Sequence, residues 1–371
     1  MNFKITWDED YNDGYYHIAK DVNRYPNAGI FVVYSRRGPG KTYGALASAA
    51  FVSHKPVIYI KRTKQDIELL CTKWKSEDGE KDFNPYSPIN RDFGVNIQAH
   101  MLSKKDGIAA FYETDGDGKP VGSPYGFAFA LASVGSIKGF NIEGFEWMIF
   151  DEFIPVAGTR VLRSEGKSLL SIYMTLVRDK IKRGETPPKL ILLSNCDDIS
   201  CVITTSLNII DYIAEMEINH INTMYVKERS LFIRHISMEE YPMAEEELDS
   251  PIAKLMKGTA WYDANFGGSF AFNDFSSICK RSVKHAKPVY RLQYNRQMLY
   301  VYYYPETGKY HMCTTRGNGA VYYNLDRENE QKKFYIDVYF ILRTAMINDM
   351  MTFEKYSMYD LICNYKDFFK L

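Results

Sequence analysis

The chain has 371 residues, of which 46% are hydrophobic and 25% charged, and its 46 Lys and Arg side chains are balanced by 46 Asp and Glu. This length accommodates two domains, or one large domain with an appended module. The zero net charge excludes a globally basic nucleic-acid binder and leaves only a local basic stripe for such a partner. Aromatic content is high, at 15%, which favours β-rich segments. Cys71, Cys196, Cys201, Cys279, Cys313 and Cys363 are scattered without C-x-x-C or zinc-like spacing, and read as free thiols of a reducing compartment. No apolar run is long enough to span a membrane and the opening segment lacks an apolar h-region, so the expectation is a soluble intracellular protein without a membrane partner.

In chain order, the first strong element is the apolar run Gly29 to Tyr34, a predicted strand that breaks into Ser35-Arg36-Arg37-Gly38-Pro39-Gly40-Lys41-Thr42. This resembles the Walker A phosphate loop, G-x-x-x-x-G-K-[ST]. Glycines let backbone N–H groups turn toward phosphates, Lys41 reaches the β- and γ-phosphates, and the Thr42 hydroxyl ligates Mg²⁺. A helix is expected to open at Thr42, with its positive dipole end toward the anion. Arg37, Gly38, Pro39, Gly40, Lys41 and Thr42 are the candidate nucleotide-binding residues, with ATP and Mg²⁺ as cofactors. Ser35 stands where the pattern has its leading glycine, so the turn into the loop must be made without one. The competing reading is a chance Gly-Lys-Thr at a turn.

Pro56 to Ile60 is the second predicted strand, followed by Lys61-Arg62-Thr63-Lys64. Basic clusters at strand ends are commonly solvated; the alternative is contact with DNA phosphates through Lys61, Arg62 and Lys64. Gly94 to Met101 and Gly107 to Thr114, followed by Asp115-Gly116-Asp117-Gly118, are expected to add a hairpin with a Gly-rich tip at one sheet edge. Strands follow at Phe127 to Val134 and Trp147 to Phe150, the second ending in Asp151-Glu152-Phe153. In a Walker B reading Asp151 holds Mg²⁺ through water and Glu152 polarises the attacking water as general base. A solvated turn after a core strand is the plainer alternative.

Arg178 ends the apolar stretch Leu169 to Val177 and opens a basic cluster with Lys180, Lys182 and Arg183. In a ring enzyme it is the candidate to neutralise transition-state charge in a neighbour's site, against a solvated helix terminus. The strand Leu190 to Leu193 ends in Ser194-Asn195. In P-loop ATPases with an additional strand (the ASCE class) this strand lies between the two motif strands, and Asn195 would touch the lytic water or γ-phosphate; a Ser-Asn turn is the alternative.

The expected fold class is α/β. Residues 1–204 form a P-loop ATPase domain with a mostly parallel sheet between helices. Residues 205–286 form a small helical lid or linker, without strand alternation until Phe270. Residues 287–371 form an α+β domain, with strands Val289 to Tyr294, Met298 to Tyr304 and Tyr310 to Cys313 before helices at Phe334 to Met350 and Met358 to Phe369.

SRRGPGKT, KRTK, Ser136-Ile137-Lys138-Gly139, WMIFDEF, TLVRDK and LILLSN together resemble, in order and spacing, the DNA-packaging ATPase family of phi-twenty-nine-like short-tailed phages. The resemblance covers residues 29 to 196 well and the C-terminal region more loosely, through KPVYRLQYNRQMLYVYYYPETGKYHMC. It implies an ASCE motor related to the large terminases, acting as a homomeric ring, a pentamer, that drives double-stranded DNA into a prohead. It also implies docking on the portal vertex within the infected host cell and a degenerate ribonuclease H-like C-terminal domain. By position it assigns Lys41 and Thr42 to the nucleotide grip, Asp151 to Mg²⁺, Glu152 to the base, Arg178 to the trans-acting finger, and Lys61, Arg62 and Lys64 to a basic segment. Packaging RNA is a partner in that family, although no residue here signals it. Two readings from other classes compete: a small-molecule P-loop kinase, and a nucleotide-dependent interaction module that does not hydrolyse.

Overall fold

The computed structural model describes residues 13–76, 79–133, 135, 144–156, 158–159 and 161–371. Ser136-Ile137-Lys138-Gly139 and Val134 lie outside the described residues. The chain divides into two units, Met1–Leu207 with Asn219–Phe272, and Asn208–Ile218 with Asn273–Leu371.

The first unit carries β1 (Ile30–Ser35), β2 (Val57–Lys61), β3 (Lys73–Ser76), β4 (Gly79–Asp82), β5 (Ile97–Ser103), β6 (Ile108–Thr114), β7 (Pro120–Ala130), β8 (Trp147–Asp151), β9 (Lys189–Asn195), β10 (Thr223–Val226) and β11 (Leu231–Ile236). Apart from the separate β3–β4 pair, these form one nine-stranded sheet in the order β10-β11-β1-β9-β8-β2-β7-β6-β5. From β11 to β7 every neighbouring pair is parallel, and the antiparallel strands lie at the edges. The central runs are apolar because both faces are covered: β8 is buried at all five positions and β1 at all but its first. Burying Phe31, Val33, Tyr59, Ile149, Ile191 and Phe232 in one cluster supplies much of the drive for this layer, at about 1.5–3 kcal/mol for each large apolar side chain.

The inserted hairpin is present as β5–β6, at the expected edge. The Asp115–Gly118 turn, however, joins β6 to β7, with Asp115 N–H donating to the Lys119 carbonyl at 3.0 Å. The strand expected at Phe127 accordingly begins earlier, at Pro120.

One expectation requires correction. Residues 205–286 are not a continuous helical lid: β10 and β11 belong to the large sheet, and β11 pairs in parallel register with β1 along its whole length, Ile30 to Ser35 against Leu231 to Ile236. The run Leu231-Phe232-Ile233-Arg234-His235-Ile236 hides its strand nature behind two polar residues. Both find partners, since Arg234 pairs with Glu240 at 2.8 Å and the His235 ring stacks on Tyr34 with centroids 4.9 Å apart.

The second unit holds a five-stranded sheet of β12 (Lys287–Tyr294), β13 (Gln297–Tyr304), β14 (Lys309–Cys313), β15 (Val321–Asn324) and β16 (Met351–Phe353), ordered β15-β12-β13-β14-β16. Helical segments from Glu328 to Ile347 and the helices Tyr356–Cys363 and Tyr365–Phe369 share its core through Phe334, Leu342, Leu361 and Tyr365. Ile210–Ile218 joins this unit because Asp211 accepts from the Ser357 N–H and hydroxyl at 2.7 and 2.8 Å. Among the described residues, no helix is long and apolar enough to cross a membrane.

The helix Lys41–Ser48 follows β1 directly. On it, a Cβ at Gly44 would lie 1.9 Å from the Tyr16 carbonyl oxygen, while the Tyr16 N–H donates to the Pro39 carbonyl at 2.8 Å. The segment before β1 thus packs on the phosphate loop through a gap that only glycine leaves. Gly44→Ala is expected to destabilise the protein by about 1–3 kcal/mol through overpacking, measured by denaturant unfolding. An unchanged unfolding midpoint would contradict this packing.

Candidate active site

The C-terminal ends of β1, β9, β8 and β2 bring Lys41, Thr42, Asp151, Glu152 and Asn195 together. β9 lies between β1 and β8, with Ser35 opposite Asn195 and Asp151 opposite Leu193. Ser35, the departure from the loop pattern, is the last residue of β1 and fully buried. It needs no glycine conformation. Its hydroxyl donates to the Arg36 carbonyl at 2.6 Å and accepts from Lys41 Nζ at 2.6 Å.

Lys41 also donates to the Arg36 carbonyl at 2.9 Å and to Asn195 Oδ1 at 3.1 Å. Burial lowers its pKa to about 8, because desolvation disfavours the ammonium. The loop's tight turns fall on Gly38 (φ 104°) and Gly40 (φ 82°). Arg36 is buried and anchors the loop by donating to the Arg37 carbonyl at 2.6 Å and the Tyr241 carbonyl at 2.9 Å.

Asp151 is a hub. Its Oδ1 accepts from the Thr42 hydroxyl at 3.0 Å, and its Oδ2 accepts from the Tyr59 hydroxyl at 2.7 Å and Lys61 Nζ at 3.0 Å. Burial alone would raise its pKa, but the Lys61 charge and these hydrogen bonds outweigh burial and hold it below the usual carboxylate range. The Thr42–Asp151 contact sets a hydroxyl beside a carboxylate, a donor set that suits Mg²⁺. Glu152 follows with φ 58°, left-handed backbone that strains a non-glycine residue. Its side chain is 56% exposed and its Oε2 meets Lys61 Nζ at 3.1 Å.

Two residues of the expected DNA-contacting segment have their charges engaged within the protein. Lys61 is engaged with Asp151 and Glu152 at the site itself. Arg62 is buried and pairs with Glu165 at 3.0 Å. Neither presents its charge to a backbone outside, because β2 lies beside β8 and ends against the acids. Lys64 is exposed, with Nζ donating to the Lys105 carbonyl at 2.7 Å. Arg178 is exposed on the helix Glu165–Lys182 and is not among the residues lining the cleft described next.

A cleft of about 510 Å³ is lined by Arg37, Gly38, Glu152 and Asn195 together with Trp261 and Phe266. The aromatic segment is tied to the strand ends through Gly268, whose carbonyl accepts from Cys196 Sγ at 2.9 Å and lies 2.8 Å from His235 Nε2. Sequence reasoning missed Tyr59 and this aromatic wall, and saw Ser35 only as a departure from the loop pattern rather than as an acceptor for Lys41. The alternation of β2 held the signal for Tyr59, since residues i and i+2 share a face and Tyr59 lies on that of Lys61.

Lys61→Met should remove the charge that lowers the Asp151 pKa and raise it relative to wild type. The sign follows from linkage: the wild-type carboxyl, depressed, contributes stability that is present above its unfolded pKa and lost as pH falls through its folded pKa, and the variant forfeits part of that contribution. The variant's deficit, expected to reach about 3 kcal/mol, should therefore grow from pH 4 to pH 7 in denaturant unfolding. A deficit independent of pH would show that Lys61 does not control Asp151.

No family model matches the chain, and no curated protein matches it. Among solved structures it is similar to one described as the Phi-28 gp11 DNA packaging motor, at a TM-score of 0.56 and 19% identity, covering 97% of this chain and 99% of that one. It is also similar to the bacteriophage Phi-29 viral genome packaging motor assembly, at a TM-score of 0.62 and 19% identity, covering 95% of this chain and 98% of that one. The chain has the fold of these phage DNA-packaging motor proteins along nearly its whole length.

Proposed function

We propose that this chain is the ATP-hydrolysing subunit of a viral genome-packaging motor, which translocates double-stranded DNA into a prohead as a homomeric ring. The observation that carries the reading is the placement of β9 between β1 and β8, which sets Asn195 against Lys41 and Asp151 against Thr42. The packaging-motor descriptions of the similar structures support the same reading.

In this reading the loop N–H groups and Lys41 bind the β- and γ-phosphates. Thr42 and Asp151 would hold Mg²⁺, which would supply charge neutralisation of the phosphates. Glu152 accepts a proton from the attacking water, and Asn195, beside Lys41, registers the γ-phosphate. Arg178, exposed on its helix, serves the neighbouring subunit's site. Ring assembly, a pentamer on the portal vertex in the infected cell, and a packaging-RNA partner follow from the family resemblance. Lys64, exposed beside β2, is the remaining candidate for DNA phosphate in its segment. β12 and β13 contain no Asp or Glu, so the C-terminal unit is assigned to docking or DNA contact rather than to two-metal cleavage.

ATPase assays with and without double-stranded DNA test this directly, because DNA-stimulated turnover is expected of a translocase and of neither a small-molecule kinase nor a non-hydrolysing module. Glu152→Gln should bind ATP as wild type does and lose about 10²–10⁴ in rate. Mixing it with Arg178→Ala should restore measurable turnover, since shared interfaces then hold an intact Glu152 and an intact Arg178. Near wild-type hydrolysis by Glu152→Gln would refute the base assignment, and failed complementation would refute the trans role.

A further inference from the structure

Arg62 spends its whole guanidinium inside the protein. Its Nε donates to both Glu165 oxygens, at 3.0 and 3.1 Å. Its Nη1 donates to the Glu152 carbonyl at 3.1 Å and its Nη2 to the Phe153 carbonyl at 3.0 Å. The guanidinium carbon also lies 5.7 Å from the Phe150 ring centroid. The two carbonyls it grips belong to the turn in which Glu152 has φ 58°.

A non-glycine residue stays in left-handed backbone only where its surroundings over-determine it. Here the grip comes from two sides. Strand β9 takes the N–H groups, since Phe153 N–H donates to the Leu193 carbonyl at 3.1 Å and Ile154 N–H to Ser194 Oγ at 3.3 Å. Arg62 takes the carbonyls. The Glu152 side chain is 56% exposed and its carboxylate meets Lys61, so the turn sets where the side chain leaves the backbone and Lys61 receives its end. Glu165, the first residue of the helix Glu165–Lys182, orients the fork and also accepts from the Leu162 N–H at 3.3 Å.

We propose that Arg62 is a positioning residue for Glu152: oriented by Glu165, its guanidinium holds the left-handed turn in the shape that aims the Glu152 carboxylate into the cleft. The proposal rests on the reading of Glu152 as the general base of ATP hydrolysis. It requires a planar fork with several donors, which an ammonium cannot replace.

Removing one member of a buried ion pair leaves an uncompensated charge, whereas replacing both with apolar residues is often neutral for stability. The test therefore uses Arg62→Met combined with Glu165→Met, and separately Arg62→Lys, which keeps a cation beside Glu165 and guards against a misfolded double variant. Both are expected to bind ATP with KM within about twofold of wild type and to lose about 10- to 100-fold in kcat, the scale of a misplaced catalytic group. In a Glu152→Gln background the same substitutions should change the residual rate by less than about twofold, because Arg62 acts only through Glu152.

Folded variants with wild-type kcat, or an equal loss in the Glu152→Gln background, would overturn the proposal. A wild-type chain without ATPase activity would instead sink the hydrolase reading and this inference with it, so the two failures are told apart by the wild-type assay.

Discussion

A buried ammonium whose hydrogen-bond acceptors are all neutral is the constraint on which the rest of the site depends. Lys41 is held by a hydroxyl, a peptide carbonyl and an amide oxygen, and burial brings its pKa down to about 8. A desolvated cation costs free energy unless a counter-charge arrives, and the surroundings specify an anion as that counter-charge. The helix Lys41–Ser48 begins at this residue, so its N-terminal dipole end points the same way. Ser35 fits the same logic, because a small hydroxyl at the end of β1 gives the ammonium an acceptor that holds it without neutralising it.

Strand order converts that anion site into a place for chemistry. Because β9 separates β1 from β8, Asn195 reaches Lys41 while Asp151 reaches Thr42, so the two sides of the site are lined by side chains fixed by parallel registers. The adjacent acids then divide in character. Asp151 is buried and saturated with donors from Thr42, Tyr59 and Lys61, which keeps it ionised and immobile. Glu152, one residue later, is turned outward by left-handed backbone and is half exposed. One carboxylate suits holding a metal and the other suits moving a proton, and the difference comes from environment rather than residue type.

Much of this was legible in the sequence because it is local. The phosphate loop, the acids Asp151 and Glu152 at the end of Trp147–Asp151 and the Asn195 strand end each combine an apolar run with a polar terminus, and parallel strands keep such ends together. The ion pairs of Lys61 and Arg62 were not legible because a basic cluster after a strand looks the same whether it faces solvent or a neighbouring strand's acids; the β2–β8 pairing brings Lys61 to those acids. β11 was missed for a related reason, since His235 and Arg234 interrupt its apolar pattern and their partners, Tyr34 and Glu240, are found in the fold. The aromatic wall of Trp261 and Phe266 lies in a segment without periodicity, so nothing short of the tertiary structure could bring it to the loop.

Proton uptake on nucleotide binding tests the buried-ammonium account most directly, through calorimetric titration of Mg-ATP in buffers of different ionisation enthalpy. With the free-state pKa of Lys41 at about 8 and the bound ammonium stabilised by phosphate, binding should take up close to one proton per site at about pH 9 and only about a tenth of one at about pH 7. The uptake should vanish in Lys41→Met wherever binding remains measurable. Binding with the same proton count at both pH values would contradict the account.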